Sequence, residues 1–255
     1  MNVLRFFRNL FHHDKPTQVN LDYPLQWEKM TYTQFRDVCF ILSQPGISRD
    51  KALFLCLCKL TGIRPADMNK YDPRKVKGKM AFIIQGKEHL VKASDIAAAC
   101  TELNYIYDSI GLPPEPFPKV ERMLYNLNFQ QFFTADSMML RAAADKENAN
   151  RWIKEAVKTI TNGAKRKLTE QDRVAVTIWW NGVKQMLKGK YPYVFQDNDG
   201  TITIGKTQAE ILQDLLSCMN DNRPQENEKI LKTPAHDVLF TLNKIYHDAV
   251  EKSNK

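Results

Sequence analysis

Apolar residues recur every three or four positions along most of the chain, which is the spacing of one face of an α-helix. The apolar stripes cover residues 35–42, 53–60, 96–110, 129–140, 152–160, 174–187, 211–219 and 238–246. Each stripe is wide enough to bury one side of a helix against its neighbours. The pattern therefore predicts a mainly α protein made of helical, bundle-like units.

Residues that favour helix ends stand at the borders of these stripes. Thr31 and Gln34 have the spacing of a capping box, in which each side chain accepts a hydrogen bond from the backbone amide of the other residue. Gly62 is predicted to end the second helix, because glycine adopts the left-handed conformation that closes many helices. Further N-terminal caps are predicted at Ser48, at either Ser94 or Asp95, and at Thr169.

Two short segments of the chain read as β-hairpins rather than helices. The strands are predicted at residues 80–84 with 88–91 and at residues 193–195 with 201–204. Gln85–Lys87 connects the first pair, and the turn-forming Asp197–Gly200 connects the second. The expected fold is thus mainly α, with two small β-hairpins.

A proline-rich segment divides the chain into two predicted domains. Four prolines between residues 113 and 118 prevent the preceding helix from continuing. We therefore predict an N-terminal helical domain with a hairpin at 21–118 and a C-terminal helical domain with a hairpin at 119–255. Residues 1–20 are predicted to form a separate amphipathic helix and a linker.

The predicted N-terminal helix is short, with an apolar face formed by Leu4, Phe7, Leu10 and Phe11. An isolated helix of fewer than about 12 residues is marginal in water, so this one needs a surface to fold against. We expect these four side chains to bind a partner protein, another copy or the body of the chain. A membrane surface is the competing target, since Arg5 and Arg8 accompany the apolar face.

The net charge of +8 is unevenly distributed along the 255 residues. Segment charges are +8 for 1–92, −4 for 93–145, +7 for 146–192 and −3 for 193–255. Such alternation can steer the chain towards nucleic acid, but it suits head-to-tail self-association between unlike patches equally well.

The five cysteines and the lengths of the apolar runs indicate a compartment. All five lie among apolar neighbours, as small buried residues do in a reducing environment, and an odd number disfavours a disulfide framework. No apolar run approaches the roughly 20 residues that cross a bilayer. We expect a cytosolic protein, or one incorporated into a particle assembled there.

Candidate metal and catalytic motifs do not meet the requirements of their chemistry. If Asp197–Gly200 were part of a calcium loop, Phe195 and Lys206 would occupy two positions that need oxygen ligands. Cys56 and Cys58 would point about 200° apart on a helix, so they could not readily hold one ion. Glycine-rich phosphate loops and nucleophile elbows are missing from the sequence. We predict no catalytic residues, no cofactor and no metal site.

Basic residues suggest a possible contact with nucleic acid. The proposed basic patch consists of Lys75, Lys77, Lys79, Lys165, Arg166 and Lys167. Trp179, Trp180 and Tyr191 could supply surfaces on which bases stack. We favour the simpler interpretation, in which the cations are solvated, Trp179 is in the core and Trp180 is half exposed, because no recognised nucleic-acid module accompanies the charge.

Several short sequence segments within residues 27–112 resemble the small helical tail-assembly chaperones of long-tailed bacteriophages and prophages. The resemblance is carried by Trp27–Phe35, by Leu60–Ile63, by Pro65–Met68 and by the helix from Ser94 to Gly111. The segment Thr233–Phe240 is similar to endings in phage-like genes of gut Bacteroidetes. The resemblance lies in the order of the helices and in the residues at their ends rather than in an invariant motif.

This resemblance implies a non-enzymatic protein of a phage or prophage that holds a tail component or builds into the tail. Its implied partners are tail or other virion proteins, with self-association as a further option, in the bacterial host cytoplasm or the virion. Nucleic acid is the less favoured partner. The alternative function is that of a basic, DNA-associated helical protein of a mobile element.

Overall fold

The structure is a computed structural model that describes residues 5–8, 18–74, 76–108, 111–117, 120–163, 167–195, 207–220 and 222–253. The chain divides into two compact units, residues 1–110 and residues 111–255. The sequence had placed this border after residue 118. Leu112 and Phe117 of this segment are buried, and the segment belongs to the second unit.

The prediction of a mainly α fold is confirmed. The α-helices are α1 (Tyr32–Leu42), α2 (Arg49–Thr61), α3 (Ala93–Glu102), α4 (Phe129–Ala144), α5 (Ala149–Ile160), α6 (Glu170–Lys190), α7 (Gln208–Asn220), α8 (Asn227–Lys232) and α9 (Ala235–Ser253). The strands are β1 (Arg5–Arg8), β2 (Gln18–Leu21), β3 (Arg64–Pro65), β4 (Lys79–Ile84) and β5 (Lys87–Lys92). None of the helices in these ranges combines the length and apolarity needed to cross a membrane.

Most of the predicted helix caps are present. Thr31 and Gln34 form the reciprocal capping box of α1, and Ser48 accepts from the Lys51 amide at the start of α2. Gly62 ends α2 with a φ of 73°. The prediction of a Ser94 or Asp95 cap is wrong, because β5 runs directly into α3 and leaves Lys92 at the capping position.

Residues 5–8 form a strand, so the predicted N-terminal helix is wrong where the structure describes it. β1 pairs with β2 in antiparallel register, with Arg5 opposite Leu21 and Arg8 opposite Gln18. Aromatic residues such as Phe6 and Phe7 favour strands, and pairing supplies backbone hydrogen bonds that a short isolated helix cannot maintain. Residues 1–4 and 9–17, which complete the predicted helix and linker, lie outside the described residues.

The first predicted hairpin is confirmed, and a third strand extends it. β3, β4 and β5 form an antiparallel sheet in that order. The connection between β4 and β5 is shorter than predicted: Gln85 and Gly86 alone make the turn, with φ of 50° and 80°, and Lys87 already pairs with Ile84. Positive φ at both central residues is the signature of the tight turn that suits the twist of a hairpin.

Trp27 joins the beginning and the end of the first unit. Its ring packs edge-on against Phe35 at 5.8 Å and Tyr105 at 5.7 Å, and only 1% of the residue is exposed. The indole N–H donates to the carbonyl of Asp108 at 3.3 Å. The chain leaves α3 through a 3₁₀ turn at Leu103–Ile106 instead of continuing the predicted helix.

In the second unit, the segment that follows the border packs closely against α6. Gly182 lies at this contact: a Cβ atom there would be 2.6 Å from the carbonyl oxygen of Gly111 and 2.7 Å from Cδ of Pro113. Arg122 donates to the carbonyl of Leu112 at 3.2 Å. The close approach of backbone to helix therefore requires a residue without a side chain at position 182.

The starts of α4 and α9 are joined by backbone hydrogen bonds. The Phe129 amide donates to the carbonyl of Thr233, and the Ala235 amide donates to the carbonyl of Leu127, each at 2.9 Å. These bonds satisfy amides at helix starts that have no partner within their own helices. The two helices consequently begin from one shared anchor.

The prediction of a strand at residues 193–195, the first strand of the second hairpin, is wrong. Residues 193–195 form turns at the end of α6, and the amides of Val194 and Phe195 both donate to the carbonyl of Tyr191. The α6 helix thus unwinds through turns rather than leading into a strand. The predicted turn Asp197–Gly200 and the second strand at 201–204 lie outside the described residues.

Candidate protein-binding surface

The predicted basic patch is only partly within the described structure. Lys77 is exposed in the loop before β4, and Lys79 is half-buried at the start of that strand. Lys167 is exposed before α6 in the second unit. The remaining cations of the patch, Lys75, Lys165 and Arg166, lie outside the described residues.

The predicted N-terminal binding residues also fall largely outside the described structure. Leu4, Leu10 and Phe11 are not among the described residues, and Phe7 lies in β1 opposite Val19. Phe7 is therefore part of a strand and not of the predicted helix.

Strand pairing gathers basic and apolar residues on one face of the three-stranded sheet, called here the outer face. Residues directly opposite each other on paired strands point to the same face. The outer face therefore carries Lys79, Ala81 and Ile83 of β4, Glu88, Leu90 and Lys92 of β5, and Arg64 of β3. The opposite face is buried and carries Phe82 and Ile84.

Two lysines lie directly opposite each other at one end of the outer face. Lys79 of β4 is the partner of Lys92 of β5. Both side chains are positively charged, so this end of the face favours the approach of an anionic group. Farther along the face, Leu90 and Ile83 are half-exposed, whereas Ala81, which lies between Lys79 and Ile83, is buried. The outer face thus combines positive charge with accessible apolar surface.

Glu88 occupies the other end of the outer face. Its carboxylate accepts from Lys70 Nζ at 3.1 Å and from the Tyr71 hydroxyl at 3.0 Å. These hydrogen bonds, first that of Lys70 and then that of Tyr71, hold the pKa of Glu88 below its ordinary value. The charge of Glu88 is therefore fixed in place at neutral pH, at the opposite end from the two lysines.

The aromatic residues that could have stacked on bases are buried. Trp179 is 0% exposed, Trp180 is 3% exposed and Tyr191 is 3% exposed. The prediction of a half-exposed Trp180 is therefore wrong. Its indole N–H donates to Asp136 at 3.3 Å, and Lys184 binds the same carboxylate at 2.8 Å. These rings stabilise the second unit and offer no surface to a nucleic acid.

A groove of about 450 Å³ runs along α5 and α6 in the second unit. Its lining includes Ile153, Val174 and Ile178, together with the charged side chains of Lys146 and Arg173. Val174 and Ile178 were predicted to be core residues, but both are only half-buried. Arg173 is held by the carbonyl of Leu168 and the carboxylate of Glu170.

His236 is the centre of a buried polar cluster in the second unit. Its Nε2 lies 2.6 Å from the carbonyl oxygen of Met123, and its Nδ1 lies 2.7 Å from the Tyr191 hydroxyl. A carbonyl can only accept, so Nε2 carries the proton and Nδ1 accepts from Tyr191. The Tyr125 ring lies 4.2 Å from the imidazole, and Lys190 reaches the Tyr125 hydroxyl at 3.0 Å.

We expect unfolding to become easier in mild acid because of His236. Burial, followed by the nearby Lys190, lowers the pKa of this imidazole, while Met123, Glu121 and Asp237 act in the opposite direction. The unfolded chain then takes up a proton near pH 6.5 that the folded chain binds only at lower pH. The contribution of His236 is complete above that value and is lost as the pH falls below it.

Urea unfolding of the native chain and of His236→Gln, measured from about pH 7.5 to about pH 5.5, checks this expectation. The native chain should lose more stability over this range than the variant. Equal losses would contradict the assignment.

The cysteines of the first unit are poor candidates for chemistry. Burial, followed by the nearby Cys100, raises the pKa of the Cys56 thiol to about 12 and that of Cys58 to about 11. Both thiols are therefore protonated at neutral pH, whereas the thiolate is the form that attacks and binds metal. Among the described residues, no three His, Cys, Asp or Glu side chains form a metal-binding group.

The outer face is the candidate binding surface of the chain. The outer face brings together positive charge, half-exposed apolar side chains and the backbone of a sheet edge. No protein-family model, curated protein or solved structure matches the chain.

Proposed function

We propose that this chain is a non-enzymatic assembly or structural protein of a phage or prophage, related to tail assembly, that acts through protein–protein contacts. Its place is the cytoplasm of the bacterial host or the virion itself. The observation that carries the proposal is the outer face of the sheet, where Arg64 and Lys79 flank the half-exposed Ile83 and Leu90. Protein interfaces combine an apolar centre with a polar rim in this way.

The packing of the first unit supports the link to tail-assembly chaperones. The two longest segments that carry the resemblance, Trp27–Phe35 and Ser94–Gly111, meet around Trp27. A third resembling segment, Pro65–Met68, borders the outer face: the Ala66 amide donates to the carbonyl of Ala81, and the Ala81 amide contacts Sδ of Met68. Apart from Gly111, these three segments lie in the first unit, which also presents the outer face.

A protein partner fits the outer face better than a nucleic acid does. Glu88 would repel phosphates, whereas a polypeptide can place a cation or a neutral side chain beside it. Base stacking needs accessible aromatic rings, and those considered for this role are buried in the second unit. A partner with carboxylates and apolar side chains matches the two lysines and the half-exposed apolar residues of the face.

The proposal predicts that the chain captures virion proteins through the outer face. A tagged copy would be expressed in a lysogen that carries the gene, and captured proteins would be identified by mass spectrometry after induction. We expect tail-tube, tape-measure or other virion proteins. The double variant Arg64→Glu with Lys79→Glu should reduce this capture about tenfold, because both charges at the face are reversed.

The matched control is Lys29→Glu with Lys51→Glu, which makes the same change in net charge at exposed positions outside the sheet. This variant should capture virion proteins as the native chain does. Recovery of replication or mobilisation DNA without virion proteins would contradict the proposal and favour the DNA-associated alternative.

A further inference from the structure

β5 is an edge strand whose outward backbone groups can be identified. In a hairpin with a two-residue turn, the residues that close the turn form a hydrogen-bonded pair, and such pairs then alternate along the strands. Ile84 and Lys87 close this turn. Lys87, His89 and Val91 therefore bond to β4, whereas the N–H and C=O groups of Glu88, Leu90 and Lys92 point away from it.

Neighbouring hydrogen bonds agree with this alternation. The Ala93 amide, which continues the inward series, donates to the carbonyl of Gly78 at 2.9 Å. Ala81, opposite Leu90, directs its carbonyl to the Ala66 amide on the β3 side of β4. Within the described part of the chain, β5 has β4 as its ladder partner and no strand on its other side.

The order of residues along this edge is complementary to itself. If two copies of β5 run antiparallel with Leu90 opposite Leu90, then Glu88 of each copy lies opposite Lys92 of the other. The Leu90 pair can exchange both backbone hydrogen bonds. In each Glu88–Lys92 pair the Lys92 amide can donate to the Glu88 carbonyl, whereas the Lys92 carbonyl, at the N-cap, accepts the first hydrogen bond of α3. Charged residues on an edge strand usually prevent pairing, but here their order makes one register favourable.

Other registers that keep the outward groups opposed are worse. A shift of two residues in either direction places a charged side chain opposite Leu90. A shift of four places Glu88 opposite Glu88 or Lys92 opposite Lys92, and like charges in opposite positions destabilise a pair. The sequence of the edge thus selects the register centred on Leu90.

We propose that two copies of this chain form a symmetric dimer by antiparallel pairing of their β5 strands, centred on Leu90. The two three-stranded sheets become one six-stranded sheet around a twofold axis, as an isologous interface requires. Glu88 of one copy then lies opposite Lys92 of the other, so the dimer contains two pairs of opposite charge. The dimer presents two outer faces on one side of the sheet.

The dimer follows from the geometry of β5 and does not depend on the proposed viral role. Dimerisation can be measured with the purified full chain, whereas the viral role is measured by capture of virion proteins with variants at positions 64 and 79. Dimerisation can be absent while virion proteins are still captured, and capture can be absent while the dimer still forms.

The test is a pair of charge reversals measured by sedimentation as a function of concentration. Glu88→Lys places like charges opposite each other twice in the dimer, and Lys92→Glu does the same with the opposite sign. Each single variant should dimerise at least about tenfold more weakly than the native chain. An equimolar mixture of the two variants should dimerise as the native chain does, because every opposed pair is again of opposite charge.

The mixture separates pairing from effects within one copy. Glu88→Lys also removes the contacts with Lys70 and Tyr71, and this loss persists in the mixture. Recovery in the mixture therefore reports the contact between copies. Leu90→Pro removes an outward amide while leaving the bonds to β4, and it should abolish the dimer, whereas Leu90→Ala, which keeps the amide, should weaken it less.

Three results would overturn the proposal. A native chain that stays monomeric at millimolar concentration has no such interface. A dimer unaffected by either single charge reversal forms through another surface. Single variants that remain monomeric when mixed, although their circular dichroism matches that of the native chain, have lost the dimer for reasons other than charge pairing.

Discussion

Replacing His236 with alanine is expected to lower the free energy of unfolding by about 2–4 kcal/mol. The change removes the acceptor of the buried Tyr191 hydroxyl and the donor to the Met123 carbonyl. A buried polar group left without its partner costs about 1–3 kcal/mol, and the ring contact with Tyr125 is lost as well. Urea unfolding at neutral pH measures the loss.

His247→Ala is the matched control on the same helix. The side chain of His247 is 40% exposed, its polar partners Asp248 and Glu251 are surface groups, and its ring packs edge-on against Tyr193 at 4.8 Å. Surface ion pairs contribute little, so this variant should lose less than about 1 kcal/mol. Tyr191→Phe, which removes one hydroxyl, should fall between the two histidine variants. A His236→Ala loss no greater than that of His247→Ala would show that the cluster is not a stabilising element.

Replacing each of two glycines of α6 with alanine should change the free energy of unfolding in opposite directions. Alanine favours a helix interior over glycine by about 0.8–1.0 kcal/mol, so propensity alone predicts a gain at both positions. At Gly182, however, the new methyl group would meet the backbone oxygen of Gly111 and the ring of Pro113. Overpacking of this kind costs about 1–3 kcal/mol, so we expect Gly182→Ala to be destabilising overall.

Gly189→Ala provides the control, because a Cβ atom there has no other atom within 4 Å. This variant should gain up to about 0.5–1 kcal/mol. Thermal or urea unfolding of both variants checks the difference in sign. A stabilising Gly182→Ala would mean that residues 111–113 can move away from α6 without loss.

Helix ends were predictable from the sequence because their chemistry is local. A capping box needs only Thr31 and a glutamine three residues later, and the closing role of Gly62 depends on its own backbone. The Ser94 or Asp95 cap failed for a reason that is not local: β5 continues to Lys92, and its pairing with β4 determines where the helix can begin.

The N-terminal strand and the buried face of α6 depend on distant residues. β1 is a strand because β2 pairs with it across nine residues of sequence, which helical spacing alone could not indicate. On α6, two sets of residues have helical spacing. Val176, Trp179 and Trp180 are buried. Val174 and Ile178 are only half-buried. Periodicity identifies a helix more reliably than the rotation of its buried face.

The outer face was only partly predictable for a similar reason. The sequence grouped Lys79 with its neighbours along the chain, whereas the structure places Lys92 opposite it. The signal that could have identified this pair is Gly86: a two-residue turn at Gln85–Gly86 fixes the register of every later pair in the hairpin. The predicted three-residue connection concealed that register.

The shared anchor of α4 and α9 has a consequence for the order in which the protein matures during synthesis. Leu127 and Phe129 bond to residues more than a hundred positions later, and α9 also supplies Val238 and Leu242 to the core. Contacts this distant form only after the intervening chain exists. The first unit, which closes around Trp27 within its own residues, can be complete while the second still exposes the apolar side chains that α9 covers. A nascent chain halted before α9 therefore carries a finished N-terminal unit beside an unfinished, aggregation-prone one.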